Sequence, residues 1–124
     1  MNCHPLRRAL LLFLVVLPVA SCTSARYVDR IEIVNPTEYD LLVDVRPEEK
    51  ASRLGLGLAK HGSEAIHEQV IDLGEEWIFA FSFVGEEVGS LAIKRSDLES
   101  AGWRVVIPDD VGAKLRERGA KASY

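Results

Sequence analysis

Apolar residues recur at every second position in short segments of this chain, and this spacing limits the fold more than any other feature. In the clearest segment, residues 77–84, aromatic side chains occupy one face, while Ile78, Ala80 and Val84 occupy the other. A period of two is typical of a β-strand. Apolar side chains on both faces predict that this strand lies in the centre of a sheet.

Six further segments alternate in the same way, and turn-forming residues separate them at intervals of roughly ten residues. Their apolar residues are Ile31 and Ile33; Leu41, Val43 and Val45; Leu54, Leu56 and Leu58; those of 66–73; Leu91 and Ile93; and Trp103, Val105 and Ile107. Seven short strands predict an all-β domain, an antiparallel β-sandwich. The Leu-Gly alternation of 54–58 lacks the third glycine of a dinucleotide-binding loop, so we expect its leucines in the core.

Two short helices are predicted beside the strands. Residues 96–99, Ser-Asp-Leu-Glu, have the pattern of a capping box, which indicates a helical turn. A C-terminal helix is predicted from Pro108 to about Arg118, with Asp109 or Asp110 as its cap and Gly119 at its end.

The first 21 residues have the composition of an export signal. Arg7 and Arg8 give a basic start, and an apolar run of about a dozen residues follows. A membrane-spanning helix needs roughly 20 apolar residues, whereas this shorter run suits a signal peptide. Paired arginines also occur in twin-arginine signals, but the Ala-Leu-Leu that follows here favours the general export route.

The sequence Val-Ala-Ser-Cys at 19–22 resembles the lipobox of bacterial lipoproteins. The resemblance implies that residues 1–21 are a lipoprotein signal peptide, that the lipid is attached to Cys22, and that 22–26 form a lipidated tether to a β-sandwich domain at 27–124. The alternative is an incidental thiol behind an ordinary signal or a short anchor. The mature chain has a single cysteine, which excludes an internal disulfide and which lipidation explains.

The same resemblance implies a location for the protein and a first partner, which is the membrane that holds its lipid anchor. We expect the protein to be exported and held by its lipid in the outer leaflet of the cell membrane. Where an outer membrane exists, Thr23, rather than Asp, after the cysteine favours that membrane. The four residues 23–26 reach at most about 14 Å, so we expect the domain to lie close to the membrane.

The mature chain is acidic. Loss of Arg7 and Arg8 with the signal leaves 13 basic against 19 acidic residues, a net charge of −6. An acidic body argues against nucleic acid as a partner, because nucleic-acid binding needs a basic surface. The tail from residue 111 onward is basic; we expect it to be a solvated helix end, the alternative being contact with anionic headgroups.

Acidic doublets mark four turns or loops. If the strands alternate in direction, Glu48-Glu49 and Glu75-Glu76 lie at one end of the sandwich, and Glu86-Glu87, Asp109-Asp110 and His61 lie at the other. Carboxylate clusters can bind calcium, although the spacing here is not that of an EF-hand. We therefore expect solvated turns, with a small-ligand or calcium site at one end as the alternative.

The mature chain contains two histidines, His61 and His67, and their spacing is not that of a zinc site. Ser63 lies close to His61 in sequence, but the Gly-x-Ser-x-Gly motif of hydrolases is absent. We therefore predict no catalytic, metal-binding or cofactor-binding residue and no enzyme. A hydrolase stays a third hypothesis, because a triad assembles in space rather than in sequence.

The mature chain also resembles small immunoglobulin-like sandwich modules of bacterial envelope lipoproteins. It is similar as well to uncharacterised lipoproteins that have an Asn-Pro-Thr-x-Tyr turn, here 35–39, and a later Gly-Trp-Arg-Val strand, here 102–105. It lacks the Cys–Trp–Cys pattern of antibody domains. The resemblance implies a fold and not an activity. The absence of catalytic spacing, together with a fold class used for interfaces, predicts a membrane-anchored, non-catalytic binding or assembly module with a protein partner at the envelope.

Overall fold

A computed structural model describes residues 26–123 of the chain. The predicted signal peptide 1–21, the predicted lipid-bearing Cys22 and tether residues 23–25 lie outside these residues. The predictions made for them are therefore not tested by the fold.

The described chain forms seven strands and two short helices. They are β1 (Tyr27–Asn35), β2 (Leu41–Arg46), β3 (Leu54–Ala59), β4 (Ser63–Ile71), β5 (Glu76–Phe83), β6 (Glu86–Lys94), α1 (Arg95–Ser100), β7 (Arg104–Val106) and α2 (Asp109–Glu117). The predicted all-β fold with about seven strands and a short C-terminal helix is confirmed.

The strands form two sheets, in the orders β4-β1-β7 and β3-β2-β5-β6, which share one apolar core. The prediction of a fully antiparallel fold is wrong for one pair, because β7 runs parallel to β1, with Val105 opposite Ile33. The reason is the route of the chain. Strand β6 belongs to the other sheet, and α1 turns the chain at the end where β1 starts, so β7 sets out in the direction of β1.

Strand β5 lies between β2 and β6, which confirms the predicted central strand. Its inward residues Trp77, Phe79 and Phe81 are fully buried, and Ala80 on the opposite face is buried as well. The Trp77 ring stacks on Phe79 at 6.2 Å between centroids and meets the Trp103 ring edge-on at 5.5 Å. Aromatic residues bury the largest apolar areas, so this strand is the centre of the core.

Strand β3 departs from prediction in its burial. Leu54 and Leu58 are exposed rather than in the core. The alternating pattern identifies a strand but not its neighbours, and β3 is an edge strand that pairs only with β2. An edge strand has a partner on one side only, so its side chains are covered less completely.

The helix caps also differ from prediction. Helix α1 begins at Arg95, and no side chain of the described residues caps it, so the predicted capping box of 96–99 does not form. The backbone N–H of Arg95 donates to Glu75 O, so the main chain satisfies a group that a cap would otherwise bind. Likewise Pro108 is the N-cap of α2, and Asp109 and Asp110 lie in its first turn without a capping hydrogen bond within 26–123.

A buried polar network fixes the turn from β1 to β2. The side-chain amide of Asn35 donates to Tyr39 O at 2.7 Å and to Ala59 O at 2.8 Å. Its oxygen accepts from the backbone N–H of Thr37 at 3.0 Å and from the Thr37 hydroxyl at 2.7 Å. Asn35 is fully buried, and these four bonds satisfy its amide. The Asn-Pro-Thr-x-Tyr motif is therefore a structural element that ties β1, β2 and β3 together.

Candidate functional site

The strand directions define two ends of the domain. At the N-terminal end, where the described chain begins, Tyr27 lies opposite Ile71, and Asp72 N–H donates to Arg26 O. At the opposite end, Asn35 lies opposite Ser63. The nine residues of β1 separate the two ends by about 26 Å, since a strand rises about 3.3 Å per residue.

The acidic doublets occupy the ends that their sequence positions predicted. Two contacts place Glu75 and Glu49 at the N-terminal end. The backbone N–H of Arg95 donates to Glu75 O, and Glu49 forms an ion pair with Arg46 at 3.1 Å. Glu86, Asp109 and His61 lie at the opposite end, beside α2 and the β1–β2 turn. Among residues 26–123, no three His, Cys, Asp or Glu side chains form a group that could hold a metal ion.

Several of these carboxylates are paired with arginines. Glu86 binds Arg118 at 3.0 Å, and Glu38 binds Arg116 at 2.8 Å, so α2 is joined by ion pairs to the turns at the opposite end. The exposed basic side chains of α2 therefore face carboxylates of the domain itself. Helix α2 also lies at the end of the domain away from Arg26.

The two histidines are not brought together. His61 Nδ1 lies 2.7 Å from Asp40 Oδ1, and the His61 backbone N–H donates to the same oxygen at 2.9 Å. These hydrogen bonds, the backbone one first, hold the pKa of Asp40 below its usual value. His67 lies opposite Ile31, six residues further along the chain, and burial lowers its pKa.

Ser63 does not complete a catalytic arrangement with His61. Its hydroxyl donates to the backbone oxygen of Lys60 at 2.7 Å. A serine nucleophile instead needs its hydroxyl hydrogen-bonded to a base. His61 and Asp40 thus form a pair that fixes the 60–62 loop to the β1–β2 turn.

The tip of the β5–β6 hairpin differs from the sequence prediction, which placed a turn at Glu86-Glu87, whereas both of these residues belong to β6. Strand β5 ends at Phe83, so Val84 is a turn residue and not the last residue of a strand. Val84 and Gly85 have φ angles of 48° and 81° and join Phe83 to Glu86, the arrangement of a type I′ two-residue turn. Val84 is 86% exposed. In the sequence, the indication of this two-residue turn was a valine–glycine pair between two alternating segments.

A second unpredicted feature is an apolar patch at the N-terminal end, formed by Tyr27, Ile71 and Leu54. These side chains are 52%, 43% and 37% exposed, respectively. They line one open groove of about 530 Å³ between the neighbouring edges of β3 and β4. The groove also contains Leu56 and His67. The patch arises from strand pairing, because Tyr27 and Ile71 are 44 positions apart and meet only when β1 pairs with β4.

No protein-family model, curated protein or solved structure matches this chain. Within residues 26–123, neither helix has the length and apolar character needed to cross a membrane.

Proposed function

We propose that the protein is an exported lipoprotein whose lipid on Cys22 anchors a non-catalytic binding module to the outer leaflet of the cell membrane or to an outer membrane. The support for the anchor is the basic start, the short apolar run and the Ser-Cys junction at 21–22. The position of β1 is compatible with it, because β1 begins at Tyr27, at most about 18 Å from Cys22 along an extended chain.

Replacing Cys22 with alanine tests the anchor. We expect the variant to lose lipid labelling and the normal cleavage after residue 21, because the lipidated thiol is the feature that lipoprotein processing requires. Fractionation, labelling with a radioactive fatty acid and the mass of the N-terminal peptide measure this. Ser21→Ala is the control, since a small residue remains before the cysteine. A Cys22→Ala protein that is cleaved after residue 21 and still fractionates with membranes would contradict the anchor.

We propose an immunoglobulin-like topology for the module. The pairs β1–β4, β2–β5 and β5–β6 correspond to the B–E, C–F and F–G pairs of immunoglobulin domains. Strand β3 then occupies the C′ position beside β2. Strand β7 occupies the place of the first immunoglobulin strand, beside β1, although it comes last in the chain. This fold class is used widely for binding, and its loops at one end commonly carry the binding residues.

The observation that supports a binding role is the positive φ of Val84 together with its exposed side chain. A β-branched residue with positive φ is a backbone outlier and costs about 1 to 2 kcal/mol. Its exposed apolar side chain gains nothing from the core in return. Strain of this kind is retained at functional positions, where it presents a side chain for contact. The hairpin tip also lies at the end away from Arg26, so on a membrane anchor it faces outward, where a protein partner can reach it.

The Val84→Asn variant tests this role, because asparagine is the preferred first residue of a type I′ turn before glycine. We expect the free energy of unfolding to rise by about 1 kcal/mol, measured by urea denaturation, since the strain is relieved. In intact cells, a photo-reactive residue at position 86 should form cross-linked adducts between the protein with Val84 and its partner. We expect the Val84→Asn substitution to abolish these adducts. Val106→Asn is the matched control, an exposed valine in a regular strand. A Val84→Asn protein that keeps its adducts would show that the tip is not the binding surface.

A further inference from the structure

The apolar patch of Tyr27, Ile71 and Leu54 lies where the chain leaves the described domain toward Cys22. Tyr27 is the first residue of β1, directly opposite Ile71. Leu54 is the first residue of β3, at the edge of the second sheet. The patch therefore extends across neighbouring edges of both sheets at the N-terminal end of the domain.

The length of the tether limits what can cover this patch. Residues 23–26 lie between Cys22 and Tyr27, so the five Cα–Cα steps place these two residues at most about 18 Å apart. A lipid on Cys22 thus enters the bilayer within that distance of an exposed tyrosine ring. Linking two sites so closely makes the second contact intramolecular, so a weak attraction of the patch for lipid is sufficient to keep it in place.

We infer that this patch rests on the bilayer surface, with the Tyr27 ring at the headgroup level and Ile71 and Leu54 against the acyl boundary. The inference rests on the proposed lipid anchor. Tyrosine is enriched at membrane interfaces because its ring is apolar and its hydroxyl polar. Exposed side chains of both signs lie at this end, Glu48 and Glu75 together with Arg26 and Lys50, so the surface that fits is one of neutral headgroups.

This contact gives the lipid anchor a second role, which is to set the orientation of the domain. The N-terminal end of the edge formed by β3 and β4 faces the membrane, and the β5–β6 hairpin with Val84, at the opposite end of the domain, points away from it. Without the contact, the lipid would fix only the position of the N-terminal end, and the hairpin tip would take no fixed direction.

The experiment uses the processed lipoprotein in phosphatidylcholine vesicles. The Ile71→Cys and Leu54→Cys variants are each labelled with an environment-sensitive fluorophore, with and without spin-labelled phosphatidylcholine as a quencher. Val106→Cys is the matched control, because Val106 is 47% exposed and lies near the opposite end. We expect labels at 71 and 54 to lose about half of their emission, since interfacial segments lie about 5 to 10 Å into the boundary. The label at 106 keeps its emission.

Equal emission with and without quencher at position 71 would overturn the inference. A blue shift at 71 without lipid quenching would also overturn it, and would identify a protein or a second copy as the cover. The mass of the N-terminal peptide separates these outcomes from failure of the anchor. A lipidated Cys22 with an unquenched label at 71 refutes the membrane contact alone, whereas an unmodified Cys22 refutes the proposed function on which it rests.

Discussion

Replacing Asn35 with aspartate is expected to lower the free energy of unfolding by about 3 to 5 kcal/mol at neutral pH, the cost of an uncompensated buried charge. The side-chain amide of Asn35 donates to Tyr39 O and Ala59 O, and the substitution places an oxygen against both carbonyl groups. The two side chains have nearly the same shape, so the change removes donors without leaving a cavity.

The loss in Asn35→Asp is expected to depend on pH. Burial and the two facing carbonyl oxygens raise the pKa of the introduced carboxyl above its unfolded value of about 4. A raised folded-state pKa means that the folded protein binds more protons between the two values, so stability falls as the pH rises through that interval. The difference from the wild type should be smallest below about pH 4 and largest at neutral pH.

Urea denaturation of both proteins at acid and neutral pH measures this difference. Thr37→Val is the control, because it removes a hydroxyl bonded to Asn35 Oδ1 and introduces no charge. We expect it to cost about 1 to 2 kcal/mol, equally at both pH values. An Asn35→Asp protein of wild-type stability at neutral pH would show that the two bonds from the side-chain amide do not fix the turn.

The second large effect is expected for Trp77→Ala, which should lose about 3 to 5 kcal/mol of folding free energy. Trp77 is fully buried between Phe79 and Trp103, and its Nε1–H donates to Gly74 O at 2.9 Å. Alanine removes the ring, leaves a cavity between the sheets and deprives Gly74 O of its donor. For a domain of this size the melting temperature should fall on the order of 20 °C.

Thermal unfolding followed by circular dichroism measures the change, and the emission of Trp103, the other tryptophan, reports on the same contact. Trp77→Phe is the graded comparison, since it retains an aromatic ring but loses the hydrogen bond to Gly74. Val106→Ala, at an exposed position, should change stability by less than about 0.5 kcal/mol. A Trp77→Ala protein that melts within a few degrees of the wild type would place the centre of the core elsewhere.

Trp103 shows the structural role of the Gly-Trp-Arg-Val motif of 102–105. Its φ of 60° is unusual for an aromatic residue, and its backbone is held by Leu98 O on one side and by the Glu32 N–H on the other. The ring packs edge-on against Trp77, with the Arg95 guanidinium 5.3 Å from its centroid. The motif of 102–105 therefore directs the chain from α1 into β7, as the motif of 35–39 directs it from β1 into β2.

The sequence alone determined which segments become strands, because the alternation of apolar and polar residues is a local property of each segment. The central position of β5 also followed locally, from apolar residues on both of its faces. The clustering of acidic doublets at the two ends needed only the order and direction of the strands. The same holds for α2, whose length followed from Pro108 and Gly119.

Tertiary structure decided which strands are neighbours, and with them the surfaces on which the proposals rest. The parallel β1–β7 pair, the exposed edge of β3 and the patch of Tyr27, Ile71 and Leu54 all depend on contacts between residues far apart in sequence. The conformation of Val84 was decided by the register of β5 on β6, because the pairing of Phe83 with Glu86 leaves two residues for the turn, and such a turn requires positive φ at both.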